Sequence, residues 1–352
     1  MDPTPASPRH LRKLLLRVGL LFASSLLALF LFEAFLVHTN LFGILHFRET
    51  NGYIQHAIEL LPEADRPDGR LFENRSGVDL ELFNFHFRTG DQGLRSAVAN
   101  LDPQADKEAG VPRVLFLGDS VTLAWGVDDE TSWVRRLERN FAASGAPIEC
   151  LNAGHLQYNT IQEADWFAAH AAKLRPDLVV VTFVVNDLDD AYGVYQGLKA
   201  ALVAGATVTP TWLARRKAGL RASFPGLFAL ARLVELRREA RGFRPEPVAL
   251  SDFPEYAGRS TLARTAFDRI LATCTMLGAE LVVLDHSQPQ LPVAEEWCRA
   301  NGVRYGDLRF TATEWAEDIR NSLADAHANS LGNRYLADKA EPVLRATAQL
   351  GP

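Results

Sequence analysis

Ser120, Asp325 and His327 are the side chains in this sequence whose types together suit acyl chemistry. A serine hydroxyl is a weak nucleophile at its free pKa. It needs a base within hydrogen-bond reach, and the base needs a third group to orient it. Asp325-Ala326-His327 can supply both. Ser120 ends the run Val114-Leu115-Phe116-Leu117-Gly118-Asp119-Ser120, a short apolar strand closing in a Gly-Asp turn. In an open α/β sheet, ligands bind at the carboxyl ends of strands. Acyl transfer also develops negative charge on the carbonyl oxygen, and donors placed there beforehand are usually the largest catalytic term. Three candidate donors are the backbone N–H of Ser120, the backbone N–H of Gly154 and the side-chain amide of Asn186. Gly154, in Asn152-Ala153-Gly154, has no Cβ and lets its backbone approach a substrate closely. The expected roles are proton transfer by His327 and tautomer control by Asp325. Singly, Ser120 reads equally well as a helix cap, Asn186 and Asp187 as turn formers, and Asp325 and His327 as a surface pair. Their order along the chain, each at a strand end or ahead of a final helix, favours the catalytic reading.

The elements that must position these residues alternate from Arg113 onward. Strands are expected at Val114–Leu117, Ile148–Leu151, Leu178–Val185, Leu281–Asp285 and Val303–Tyr305. Helical spacing marks Thr131–Ala143, Ile161–Leu174, Leu262–Leu277, Ala294–Ala300 and Leu331–Ala348. The run Leu178–Val185 is continuously apolar, as suits a strand covered on both faces. This βαβα order implies an α/β fold with a parallel sheet between two helical layers. An insertion at about 192–256 interrupts the pattern. Its stretch from Trp212 to Arg241 interleaves arginines with Leu and Phe. It reads as an amphipathic helix covering the domain, with a membrane-surface helix or lid as the other reading.

Ahead of this domain, residues 14–37 read LLLRVGLLFASSLLALFLFEAFLV, long enough to cross a bilayer. Arg9, Arg12 and Lys13 precede it, so residues 1–13 are expected on the cytoplasmic side and the rest outside, periplasmic or extracellular. A cleaved signal peptide is the alternative. The apolar stretch is long for one, and no clear small-x-small site follows, which favours an anchor. Residues 38–110 read as a spacer with a hairpin, its strand over Leu82–Arg88, and residues 111–352 as the catalytic domain. Asn74-Arg75-Ser76 is a formal glycosylation sequon. The net charge of −6 and pI near 5.9 argue against nucleic acid as a partner. Cys150, Cys274 and Cys298 lack metal-ligand spacing and read as packing residues, with a Cys274–Cys298 bridge open. Asp187, Asp189 and Asp190 read as a solvated acidic loop, so no metal and no cofactor is expected. His155 is a candidate for the pocket wall, and His286 reads as structural or surface.

The blocks around Ser120, Gly154, Asn186 and His327 resemble those of the SGNH (GDSL-type) hydrolases, from about Val114 to Ala348 with the insertion unmatched. Gly118 to Val127, and Asn152-Ala153-Gly154 continuing to Tyr158-Asn159-Thr160, are similar to bacterial membrane-anchored members. The resemblance implies a flavodoxin-like three-layer α/β/α sandwich, here preceded by one transmembrane helix. It also implies cleavage or transfer of acyl groups through an acyl-Ser120 intermediate. Two positions depart from the family pattern. Val184 stands where a glycine is usual, and the acid is two residues before His327, with Ala324 at the usual position. That Asp-x-His spacing resembles alginate-type O-acetyltransferases. The expected function is a membrane-anchored esterase acting on short acyl, chiefly acetyl, esters of envelope or exported carbohydrate, or on another small ester. An O-acyltransferase with the same triad and a silent carbohydrate-binding or assembly protein are the alternatives.

Overall fold

A computed structural model describes residues 8–61, 71–82, 84–96, 107–188, 224, 226–227, 230 and 254–350. The chain opens with α1 (Pro8–Thr39) and α2 (His46–Ala57). Two short antiparallel pairs follow, β1 (Ile58–Leu60) with β2 (Phe72–Asn74) and β3 (Asp79–Glu81) with β4 (His86–Arg88). Next come β5 (Arg113–Gly118), α3 (Ser120–Leu123), α4 (Trp133–Ala143), β6 (Glu149–Gly154), α5 (Thr160–Leu174) and β7 (Leu178–Phe183). The chain then gives α6 (Pro254–Leu277), β8 (Glu280–Asp285), α7 (Val293–Asn301), β9 (Arg304–Asp307), α8 (Ala312–Ala316) and α9 (Ser330–Arg345).

Strands β5 to β9 form one parallel sheet in the order β6-β5-β7-β8-β9. This is the doubly wound, flavodoxin-like arrangement, and the order reverses at β5. Every residue of β5 and β7 is buried, because helices cover both faces. Successive side chains point to opposite faces of a strand. Leu115, Leu117, Val179, Val181 and Val283 therefore join one core with Phe167, Phe267 and Ile270. Val114, Phe116, Val180 and Val282 join the other with Trp133, Leu137, Leu336 and Leu344. Side-chain caps set the helix starts: Ser132 accepts from Arg135 N–H, Asn159 and Gln162 cap reciprocally, and Asn329 accepts from Leu331 and Gly332 N–H.

The segment ahead of the sheet is packed into the first core through Tyr53, Phe72, Phe85 and Phe87. Tyr53 and Phe85 meet Trp125 edge-on, with ring centroids 5.2 and 5.1 Å away. The strand expected over Leu82–Arg88 is shorter. Leu82 N–H donates to Phe85 O and closes a turn, which Glu49 pins by accepting from the N–H and amide of Asn84. Only His86–Arg88 is left to pair. Asn74 is buried; its amide nitrogen, the atom a glycan would take, donates to Gly154 O at 3.0 Å. The sequon is thus a structural asparagine. Cys150, Cys274 and Cys298 are buried free thiols, with no Cys274–Cys298 bridge.

Within α1, Arg12–Thr39 is long and apolar enough to cross a membrane, with mean hydropathy 2.3. Most of the 192–256 insertion, including nearly all of Trp212–Arg241, lies outside the described residues. Gly226 and Leu227 N–H donate to the buried Glu33 carboxylate of α1 at 2.6 and 2.8 Å.

Arg95 is fully buried, and its neighbours in sequence give no sign of this. Its guanidinium donates to the carbonyls of Leu123, Ala124 and Val127, and sits 3.8 Å from Asp129. These carbonyls belong to the turn that follows Ser120. Removing one partner from a buried ionic network typically costs about 3–5 kcal/mol. Arg95→Met is expected to lower the thermal midpoint by roughly 6–12 °C, taking about 3 kcal/mol at 2–4 °C each; calorimetry checks this.

Candidate active site

β5 delivers Ser120 just beyond its C-terminal tip. Asp119 caps the short α3 by accepting from Val121 N–H at 2.9 Å, and Ser120 is the first helical residue. β7 ends one position further along the same edge, where the turn Val185–Leu188 carries Asn186. The Asp187 carboxylate pins that turn by accepting from Val184 N–H at 2.6 Å. The two donating strands are neighbours at the reversal of strand order, where α/β folds bind their ligands.

His327 arrives from the loop ahead of α9. Its Nε2 lies 2.8 Å from Ser120 Oγ, and its Nδ1 lies 2.6 Å from Asp325 Oδ1. With the ring proton on Nδ1 held by Asp325, Nε2 accepts from the serine hydroxyl, as a general base requires. Sequence separation does not prevent this meeting, because the loop is folded on itself. Asn321 N–H donates to His327 O at 2.9 Å, and Ser322 N–H to Asp325 O at 3.0 Å.

Electrostatics favour the same arrangement. Burial would raise the Asp325 carboxyl, but hydrogen bonds from His327 and His46, with their charge, hold it well below the usual carboxylate range. Burial works against a charged His327 ring. The bond and charge of Asp325, with the charge of Asp119, nonetheless raise that imidazole above its ordinary value. Behind Ser120, burial raises the carboxyls of Asp119, Asp187 and Glu163, which also repel one another. The amide of Asn186 hydrogen bonds to Asp119.

Ser120, Asn186 and His327 line a cavity of about 430 Å³, with Val121, Trp125, Phe310 and Trp315 among its walls. That volume suits a small acyl group with part of its alcohol. His286 also lines it, with its Nδ1 held by Leu308 O and its pKa pushed down to about 4 by burial. His155 does not. It is fully buried, stacked on Tyr158 at 4.3 Å, and likewise pushed down to about 4. Gly154 stands apart as well. Its N–H donates to Asn152 Oδ1 at 3.0 Å, and a Cβ there would lie 2.2 Å from Leu123 N. The close backbone approach that Gly154 allows is to α3, which carries the serine. Asp189 and Asp190 lie outside the described residues.

The family model described as GDSL-like lipase/acylhydrolase matches residues 116–335. The chain belongs to that family. Among solved structures it is similar to the psychrotrophic esterase EstA from Pseudoalteromonas sp., at 13% identity over 66% of this chain and 96% of that one, TM-score 0.41. A lipolytic G-D-S-L family protein from Veillonella parvula aligns at 12% identity over 67% and 100%, TM-score 0.39. An acetyl xylan esterase, AlAXEase, aligns at 16% over 66% and 99%, TM-score 0.39. No curated protein matches the sequence. In this GDSL-family acylhydrolase the acid at the two-residue spacing reaches its histidine directly, while Ala324 is buried beside Leu36 and Ile44.

Two outcomes follow for this GDSL chain. Asn186→Ala should lower kcat about 10²–10³-fold with the fold intact, as loss of an oxyanion donor does. Gly154→Ala should instead lower stability by about 1–3 kcal/mol, as overpacking does, with activity falling alongside; parallel melting curves and kinetics separate them. The second outcome concerns pH. The acid limb of kcat/KM reports the free base and should lie above about 6.5, since His327 is raised. Asp325→Asn should move that limb down and lower kcat about 10⁴-fold.

Proposed function

We propose that this acylhydrolase is anchored by residues 14–37, with residues 1–13 cytoplasmic and the catalytic domain outside. Its substrates are short acyl esters, chiefly acetyl, on envelope or exported carbohydrate. The observation that carries the catalytic part is the unbroken chain Ser120 Oγ, His327 Nε2, His327 Nδ1, Asp325 Oδ1, at 2.8 and 2.6 Å, opening into the cavity.

In this reading Ser120 Oγ attacks the ester carbonyl and passes its proton to His327 Nε2. The Ser120 N–H and the Asn186 amide receive the charge on the carbonyl oxygen. His327 returns the proton to the departing alcohol oxygen, leaving an acyl-Ser120 ester. A water or sugar hydroxyl then gives its proton to His327 and attacks that ester, and His327 passes the proton to the departing Ser120 Oγ, which restores the serine hydroxyl. The anchor supports an envelope substrate because it holds the site beside that material. The long apolar stretch behind a basic flank supports the orientation. The Asp325-x-His327 spacing favours a second reading, an O-acyltransferase using the same triad.

The test is acetyl release from p-nitrophenyl acetate by the full chain in nanodiscs, beside Ser120→Ala and His327→Ala. Both variants are expected to lose at least about 10³-fold. Radiolabelled acetyl recovered as acetate identifies a hydrolase. Label on an added oligosaccharide hydroxyl identifies the transferase. A folded protein whose release and transfer both ignore Ser120 would sink the reading in favour of a silent binding module.

A further inference from the structure

The catalytic carboxylate has a partner that the reaction scheme does not use. Asp325 Oδ1 serves His327, accepting from its ring Nδ1 at 2.6 Å and its backbone N–H at 3.2 Å. Oδ2 accepts from the Asn321 amide at 3.0 Å, and His46 Nδ1 lies 3.3 Å from it. His46 is the first residue of α2, and its ring centroid lies 6.2 Å from that of His327.

The same His46 nitrogen has the indole N–H of Trp125 at 3.4 Å. An indole nitrogen can only donate and a carboxylate only accept, so Nδ1 serves one of them at a time. A bond to an ionised acceptor is roughly twice as strong as a neutral one. Asp325 is 3% exposed and is held ionised by its donors. The proton therefore belongs on Nδ1, aimed at Oδ2.

The chain ahead of His46 fixes it there. Between α1 and α2 the backbone makes an elbow, with Asn40 and Phe42 in left-handed conformations, φ 47° and 62°. Asn40 Oδ1 accepts from Leu45 N–H at 2.9 Å, and Phe42 O accepts from Ala324 N–H at 3.0 Å. At Gly43, φ 74°, a Cβ would lie 2.0 Å from Ser322 Oγ, so the elbow lies flush on the loop that carries Asp325 and His327. Leu36, Ile44 and Ala324 are buried together at this seam.

We propose that His46 is a positioning residue of the active site, fixing the Asp325 carboxylate through Oδ2 so that Oδ1 stays aligned on His327. This inference rests on Ser120, His327 and Asp325 being the catalytic set. It makes the segment joining α1 to the domain part of the catalytic apparatus, although it touches neither substrate nor nucleophile. An Asn side chain places its amide nitrogen where histidine has Nδ1, whereas Phe keeps the ring and removes the donor.

The test measures p-nitrophenyl acetate kinetics and melting temperatures of the full chain for His46→Phe, His46→Asn and Ser120→Ala. His46→Phe should lower kcat about tenfold with KM within twofold, and His46→Asn should stay within threefold of the parent. Should His46→Phe fail to fold, His46→Gln, whose amide nitrogen matches Nε2 instead, takes its place with the same expected loss. Parental kcat in the donor-lacking variant, or an Asn variant as impaired as Phe, would overturn the inference. Full activity in Ser120→Ala would overturn the catalytic reading beneath it instead.

Discussion

A buried carboxylate that stays ionised must have its lone pairs filled by donors, and the site depends on how Asp325 meets that demand. Left bare, such a charge costs several kcal/mol and the group protonates instead. Here the donors are the His327 ring and backbone on one oxygen, and Asn321 with His46 on the other. Each donor is supplied by a structure with its own anchorage. Asn321 also donates to Trp125 O at 3.1 Å, tying the loop to the turn after Ser120. Arg95 holds that same turn from beneath. Meeting the demand of one charge thus draws Ser120, His327 and α2 into a common framework.

The sheet was legible because its signal is periodic and local. Val114–Leu117 reads as a short apolar strand and the run from Leu178 as a strand covered on both faces, and the strand-end positions of Ser120 and Asn186 followed. Asp325 and His327 were legible by type and by order in the chain. What the sequence concealed were roles that depend on distant contact. Nothing near Arg95 shows that three carbonyls on another segment lack partners until it arrives. Nothing near His46 shows that Asp325 has a second oxygen to fill. Gly154 shows the same limit: its lack of a side chain pointed to close approach, but only the fold shows that the approaching backbone is α3.

The unusual spacing of acid and histidine acquires a local account. Position 324, where the acid usually stands, donates its N–H to Phe42 O and turns its methyl toward Leu36 and Ile44. A carboxylate there would face apolar side chains at the seam with the elbow. Moving the acid one residue on leaves the seam apolar and brings the charge to the ring. The segment before the sheet and the loop that carries Asp325 and His327 are in this sense fitted to one another.

The hydrogen bond between Ser120 and His327 closes a loop of 207 residues. A ribosome adding roughly 5–20 residues per second needs about 10–40 s to span that interval. During it Ser120 exists without His327, and no partial product of translation that stops short of residue 327 has that imidazole to accept from the serine hydroxyl. The Ser120–His327 pair thus forms only once residue 327 has been made, and a chain cut short before it carries the serine alone.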